Sequence, residues 1–543
     1  MTSTASLTVV VSVSESGSYS STHINSQAST VCPAVQWRVT LMLTFRCSAS
    51  PRLAYNADER NDGAPVTDLS ADNVNDSILI VCIRSKHLGS MALDKKGLVQ
   101  RVATIPAVQE EPAIQVICRS WKLIVSDCFT VGKVAEISTV QTVALLGLFD
   151  FTAGRSRHGS AWVKVGLAVR IAQDCGLMLD NSTHLSYVKQ EERRRVFWSV
   201  YLLDRLVSCG RGRPPAIVDA SCHVQLPCDE SIWREGLWVK TQSLDEITNR
   251  TLSVSQRQSP LAQVIAISHI LGRCAQYVLQ DFNIRGPHPP WDPGSDFAGI
   301  ESDLLHFEAY LEIQRPVNEI LSAHVSAEGE VDSQSTGPII FSRALFHLCY
   351  CLLNHPFLLR RRINTCRNLA PISFIKRSSD LAWLHAQQMM SLIREARKLG
   401  CSFHSSSSGY AVTVAGSIIA LRTYDEDPVA REQAQILLEE GLLYLGIIGQ
   451  HWCNFRTMAS TLRQIVYDEF SGRQLSSLTQ SLNMTLVEEE AIWAVVDYNT
   501  MSNQFGEDAL MSGQESDGQI TNSWIDLFGP IDYAMLSDVN GAT

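Results

Sequence analysis

EERRRVFWSVYLLDRLVSCGRGRPPAI, residues 191–217, decides how the chain is read. It has a charged entry, about four apolar and aromatic turns with one acid inside them, and a Gly/Arg/Pro stop. At roughly 1.5 Å per residue, Glu192 to Cys209 makes a rod of about 27 Å. Val196, Val200, Leu203 and Val207 form one stripe, Phe197 and Tyr201 a second, Trp198 and Leu202 a third. A helix apolar on nearly every side belongs inside a larger helical body. Glu191 and Glu192 are expected in its first turn, where acids suit the helix dipole. Glu191 can pair with Arg194 and Arg195 at i+3 and i+4. Gly210, Gly212, Pro214 and Pro215 end the helix. Asp204, alone among apolar neighbours, is expected to pair with an arginine, because an unpaired buried carboxylate is costly. Arg205, Arg211, Arg213 and Arg170 are the candidates.

Around this stretch the chain is globular in composition, 45% hydrophobic and 19% charged over 543 residues. No run of about 18 apolar residues stands out, so no membrane-spanning helix is expected. Fifteen irregularly spaced cysteines suit reduced thiols. The net charge of −11 sits at one end. No Lys or Arg follows Arg473, while eleven acids do, which leaves residues 1–473 formally neutral. A neutral body carries no compositional nucleic-acid footprint, and phosphate would repel the acidic tail.

The expected layout follows from these shifts. Residues 1–75 are Ser/Thr-rich and read as mostly disordered. Residues 76–132 are a weakly ordered lead-in, 133–473 a large all-α body, and 474–543 an acidic tail. Within the body, helices are expected at Ala161–Cys175 (with Ser160 as N-cap), Leu261–Gln280, Phe297–Leu321, Ile340–Arg361, Asp380–Leu399, Ser408–Arg422 and Val429–Gly449.

The candidate chemistry is sparse. His347, Cys351 and His355 share a face at i, i+4 and i+8, but the ends lie about 12 Å apart, too far for one ion. Cys349 points away, so a buried core cluster is the better reading. Arg360 to Arg362 form the densest basic run, read as a solvated helix end or, less readily, an import or phosphate patch. No P-loop, nucleophile elbow or zinc-protease motif occurs, and no enzymatic activity is expected. In the tail, Trp524, Asp526, Leu527 and Phe528 (within WIDLF), with Ile531 to Leu536, interleave acids and bulky apolar groups. That composition suits a segment that docks into a coactivator groove.

Two stretches carry a family resemblance, strongest over residues 137–230. Arg194, Arg195, Val196, Phe197, Trp198, Tyr201, Asp204, Arg205, Gly212, Arg213, Pro214, Pro215 and Ile217 follow one ordered pattern. Gln141, Ala161, Trp162, Gly166, Ala168, Arg170, Ala172 and Gly176 follow another. The segment Phe346–Leu358 adds a third, weaker match. Together they resemble the fungal-specific transcription factor domain, or middle homology region, of zinc-cluster activators such as the xylanolytic activators. Residues 218–227 resemble that family's extended, strand-like exit. The resemblance implies an all-α regulatory domain controlling metabolic genes, in the nucleus, with a possible homo- or heterodimer. DNA binding and zinc are implied for a zinc-cluster module with two C-x2-C-x6-C units. No C-x2-C occurs in the 543 residues; Cys32, Cys47, Cys82, Cys118 and Cys128 lie 15, 35, 36 and 10 apart. No metal ligand is therefore assigned, and DNA is a partner by family expectation only. The alternative is a DNA-independent helical partner of a zinc-cluster regulator.

Overall fold

The computed structural model describes residues 120–126, 128, 134–152, 158–180, 184–250, 259–280, 288–310, 313, 315–325, 331–366, 369–401, 405–449, 453–467 and 486–500. The Ser/Thr-rich segment 1–75, most of the lead-in 76–132, and Trp524, Asp526, Leu527 and Phe528 lie outside them. Among the described residues the protein is all-α, with isolated bridges pairing Gln225 with Ser243 and Val325 with Val331.

The first layer is α1 (Ile137–Thr152), α2 (His158–Asp174) and α3 (Tyr187–Val207), packed on one another. Short helices α4 (Glu230–Glu235) and α5 (Leu244–Thr248) follow. α6 (Pro260–Ala275) starts with Ser259 capping Ala262 N and Pro260 in its first turn. It continues into a π-helical turn, Gln276–Gln280. Then come α7 (Asp296–Tyr310), α8 (Val317–Ser322), α9 (Ser333–Leu353), α10 (Pro356–Asn364) and α11 (Ile372–Lys398). The last set is α12 (Ser406–Arg422), α13 (Pro428–Ile448), α14 (Cys453–Tyr467) and α15 (Leu486–Val496). α3 packs on α6, α6 on α9, and α9 on α11 and α12, so one apolar core runs from the first layer to the last.

Helix boundaries differ from expectation for local reasons. Pro316 caps α8, so the run expected over Phe297–Leu321 is two helices. His355 and Pro356 likewise stop α9 and start α10; the His355 side chain accepts from Phe357 N at 3.3 Å. α9 begins earlier than Ile340, with Pro338 inside it. α11 begins at Ile372, right after Pro371. Ser160 lies within α2 and donates to Asp150 Oδ2 at 2.6 Å. The exit from α3 is a 3-10 turn at Asp219–Ser221 and irregular chain, not a strand. Gly176, with φ +64°, does stop α2.

Two further corrections concern burial. Ser335–Leu353 is long and apolar enough to cross a membrane by length and composition, contrary to the sequence reading. The polar residues within it, Ser342, Arg343 and His347, mask that character in the sequence, and the whole span is buried inside the protein. The segment expected as the start of an acidic tail is in part structural. α15 packs against α12 and α14, and Ile492 to Asn499 are all buried.

Candidate functional site

Every residue of α3 from Arg194 to Val207 is buried, and α3 organises polar clusters at both ends. It starts at Tyr187, a turn earlier than expected, so Glu191 lies beyond the first turn and the helix-dipole role falls away. Glu191 instead accepts from Arg195 Nε and from Cys228 N, both at 2.9 Å. Arg195 also donates to Glu230 Oε2 at 2.7 Å and to Cys228 O at 3.0 Å, and its guanidinium lies 4.2 Å from the Trp233 ring centre. Arg194 reaches back to Asp180 at 2.9 Å. Trp198 donates to Gln225 O at 2.8 Å. Phe197 meets Trp198 edge to face, and Trp198 meets Tyr201 in the same way.

At the other end Asp204 folds the exit turn onto the helix. Its carboxylate accepts from Ala216 N at 2.9 Å and Ile217 N at 3.0 Å, while Arg205 Nη1 stays at 3.5 Å. The expected partner, an arginine, is thus mainly a pair of backbone amides. The turn just past the helix end leaves these two amides free to reach the carboxylate. Burial raises the Asp204 carboxyl above its ordinary range, partly offset by Arg205 and the two amides. Arg205 turns the other way, to Ile217 O and Asp219 Oδ1, both at 2.7 Å, and lies over the Tyr201 ring at 4.3 Å. Asp219 also accepts from Tyr201 Oη at 2.6 Å and faces His269 Nδ1 at 3.1 Å. Burial alone would raise the Asp219 carboxyl, but His269, Arg205 and Tyr201 hold it well below the usual carboxylate range.

The Gly210–Arg213 turn is closed by the far end of the described chain. Tyr498 N donates to Cys209 O at 3.1 Å. Arg211 donates to Asp497 Oδ2 and Glu490 Oε1, each at 2.9 Å, and lies 4.5 Å from the Trp493 ring centre. Arg213 donates to Asn499 Oδ1 at 2.7 Å. Gln280, in the π-turn after α6, donates to Ser208 O and Arg213 O at 2.7 and 2.9 Å. A Cβ on Gly210 would come within 1.8 Å of Asn499 Nδ2, so only glycine admits this closure. Gly212, at φ +69°, makes the reversal. Tyr498 stacks on Tyr410 at 4.5 Å, meets Phe151 edge to face at 4.8 Å and donates to Ser406 Oγ at 2.5 Å.

The remaining sequence candidates are placed as follows. Arg361 pairs with Glu489 and lies 5.3 Å from Trp493, and Arg362 is buried over Tyr277 at 4.1 Å. One arginine of the basic run is therefore buried and another half-buried, because α15 and the π-turn pack against α10. Arg170 is exposed and donates to Gln173 at 2.8 Å, away from Asp204, and Trp162 is partly exposed on α2. Pro214 follows in the exit turn. His347 and His385 face each other through Nδ1 atoms at 3.1 Å, with Tyr350 stacked on His385 at 3.8 Å. His355 pairs with Ser417 Oγ at 2.9 Å. Burial lowers all three imidazoles, His385 to about 4 and His355 to about 3. Among the described residues no group of three or more His, Cys, Asp or Glu could hold a metal ion. Burial also pushes the thiols of Cys209, Cys222 and Cys228 up to about 12. Sequence reading missed Asp219, Gln280, Trp493, Asp497 and Tyr498; only Asp219, a few residues past the Gly-Arg-Pro-Pro turn, had a local signal.

Comparison with known proteins finds relatives among fungal transcription regulators. The family described as fungal specific transcription factor domain matches residues 103–322, which include α1 to α3 and the exit turn. The Zn(2)-C6 fungal-type transcription factor FTF1c of Fusarium oxysporum f. sp. lycopersici is 25% identical over 350 residues, 60% of this chain and 36% of that protein. The uncharacterized transcriptional regulatory protein C1327.01c of Schizosaccharomyces pombe is 28% identical over 188 residues, 31% of this chain and 19% of that protein. A second Schizosaccharomyces pombe protein, the uncharacterized transcriptional regulatory protein C1683.13c, is 36% identical over 100 residues, 17% of this chain and 16% of that one. The chain thus spans about a third of the length of the first Fusarium relative. No solved structure matches the chain. The family match and the α3 pattern coincide, and residues 103–322 of this chain match the fungal specific transcription factor domain.

Proposed function

We propose that the chain acts in the nucleus as the regulatory part of a fungal transcription regulator controlling metabolic genes, without enzymatic activity. The observation that carries this is the match of residues 103–322 to the transcription factor domain, around a helix whose two ends are both locked by buried polar contacts. The relatives bear the names of transcription factors and regulatory proteins, which supports the reading. In it, the helical body is the regulated element, and Trp524, Asp526, Leu527 and Phe528 form a contact for a coactivator.

The test fuses the full chain to a heterologous DNA-binding domain and measures a reporter in a fungal host. Activation that falls with Trp524→Ala and Phe528→Ala supports the reading. A reporter at background, unchanged by those substitutions, ends the activation role.

A second reading is a helical partner that joins a zinc-cluster regulator through protein contacts. The apolar row Val429, Ile436 and Leu443, exposed along α13, supports it. A mobility-shift assay with and without a zinc-cluster protein of the same family separates the two. A supershift that needs the second protein supports partnership, and a shift by the chain alone ends it.

A further inference from the structure

α13 has two apolar faces, and the fold uses one. Inward, Ala434, Leu437, Leu438, Tyr444, Leu445 and Ile448 are buried against α12 and α14. Outward, Val429, Ile436 and Leu443 are 72%, 54% and 58% exposed, seven residues apart, with Ile447 one turn on. Seven residues are nearly two whole helical turns, so these side chains form one straight stripe along a rod of about 31 Å. An isolated exposed apolar residue needs no explanation, but a heptad row of β-branched and leucine side chains is a seam without a partner among the described residues. Glu432 and Glu439 lie between them along the same exposed face, and neither forms an ion pair among the described residues.

Charge decides what fits this seam. In a parallel pairing with a second copy, Glu432 would face Glu432 and Glu439 would face Glu439. In the antiparallel register centred on Ile436, Val429 meets Leu443, but Glu432 then meets Glu440. Like charges directly across a helix pair weaken it and specify against that partner. A helix carrying Lys or Arg at those positions gains opposite charges instead.

We infer that the outer face of α13 is a docking surface for a basic amphipathic helix of a partner protein, with Val429, Ile436, Leu443 and Ile447 as the apolar seam and Glu432 and Glu439 as the charge selectors. The seam supplies most of the binding free energy and the acids supply orientation and choice of partner.

The test uses the full chain and a labelled 21-residue designed peptide, with Leu in heptad register and Lys facing the two glutamates. A scrambled peptide of the same composition controls for the chain's negative charge. Fluorescence anisotropy is expected to show the ordered peptide binding at least about tenfold more tightly than the scrambled one. Ile436→Glu should abolish the difference. The pair Glu432→Lys and Glu439→Lys should invert the preference toward a peptide with Glu in place of Lys, a reversal that loss of folding cannot produce. Circular dichroism checks that these surface variants keep the helical fold. Equal binding of ordered and scrambled peptides, or ordered binding unchanged by Ile436→Glu, overturns the assignment. Self-association in light scattering that Ile436→Glu abolishes gives the face to a second copy and also overturns it.

Discussion

The two ends of α3 solve the same problem at very different sequence distances. At its start, Arg194 and Arg195 find Glu191, Asp180, Glu230 and the Cys228 carbonyl, none more than 35 residues away. At its end, Arg211 and Arg213 find Asp497 and Asn499, 286 residues away. Both ends set a guanidinium over an indole, Arg195 over Trp233 and Arg211 over Trp493. The near end is a local device that forms as soon as its neighbours exist. The far end is a clasp, and it exists only when the whole body has assembled.

The largest effect should come from the near end. Arg195→Met leaves Glu191 buried without its main partner, at a cost of about 3–5 kcal/mol. Urea unfolding of the two proteins measures it, and a loss below 1 kcal/mol would show that Arg194 and the Cys228 amide suffice to hold Glu191. A smaller effect is expected at the clasp. Gly210→Ala forces Asn499 and Asp497 aside and should cost about 1–3 kcal/mol. Asn499→Ala in the same protein should recover part of that, a coupling that a double-mutant cycle reads. Hydrogen exchange sharpens the contrast. In Gly210→Ala, amides of residues 486–500 should lose protection while those at the start of α3 keep theirs.

The smallest effect lies between the ends, in the core that joins them. His385 and His355, lowered to about 4 and about 3, stay neutral in the folded protein, while in the unfolded chain they titrate near 6.5. As pH falls below about 6.5 the unfolded state takes up protons first, so stability declines until the folded histidines titrate. Each contributes about 1 kcal/mol of loss by roughly pH 5.5. Melting temperature followed from pH 7 to pH 5 should fall less steeply in His385→Phe than in the parent. Parallel curves would assign the acid sensitivity to other groups.

The near end was legible in the sequence and the clasp was not, for a physical reason. Glu191 and Arg195 are one helical turn apart, so spacing alone pairs them. The same logic found α3, α12 and α13, whose apolar residues recur at helical intervals. It failed where proline begins a helix instead of ending one, as at Pro356 and Pro371. Asp204 was recognised as buried, yet its partners are main-chain amides, which no side-chain inventory reveals. Glu489, Glu490 and Asp497 were read as part of a repelling acidic arm. Within the fold, Glu490 and Asp497 balance Arg211, and Glu489 balances Arg361. Only the packing of α15 brings these groups together.

The backbone bond from Tyr498 to Cys209 also has a consequence in time. At roughly 5–20 residues per second, the ribosome needs about 15–60 s to make the chain that separates Arg211 from Asp497. Throughout that interval α3 and its turn exist while α15 does not. The nascent protein therefore carries Arg211 uncovered for longer than most small domains take to fold. Chaperones have that window in which to act, and it closes when the last described helix arrives.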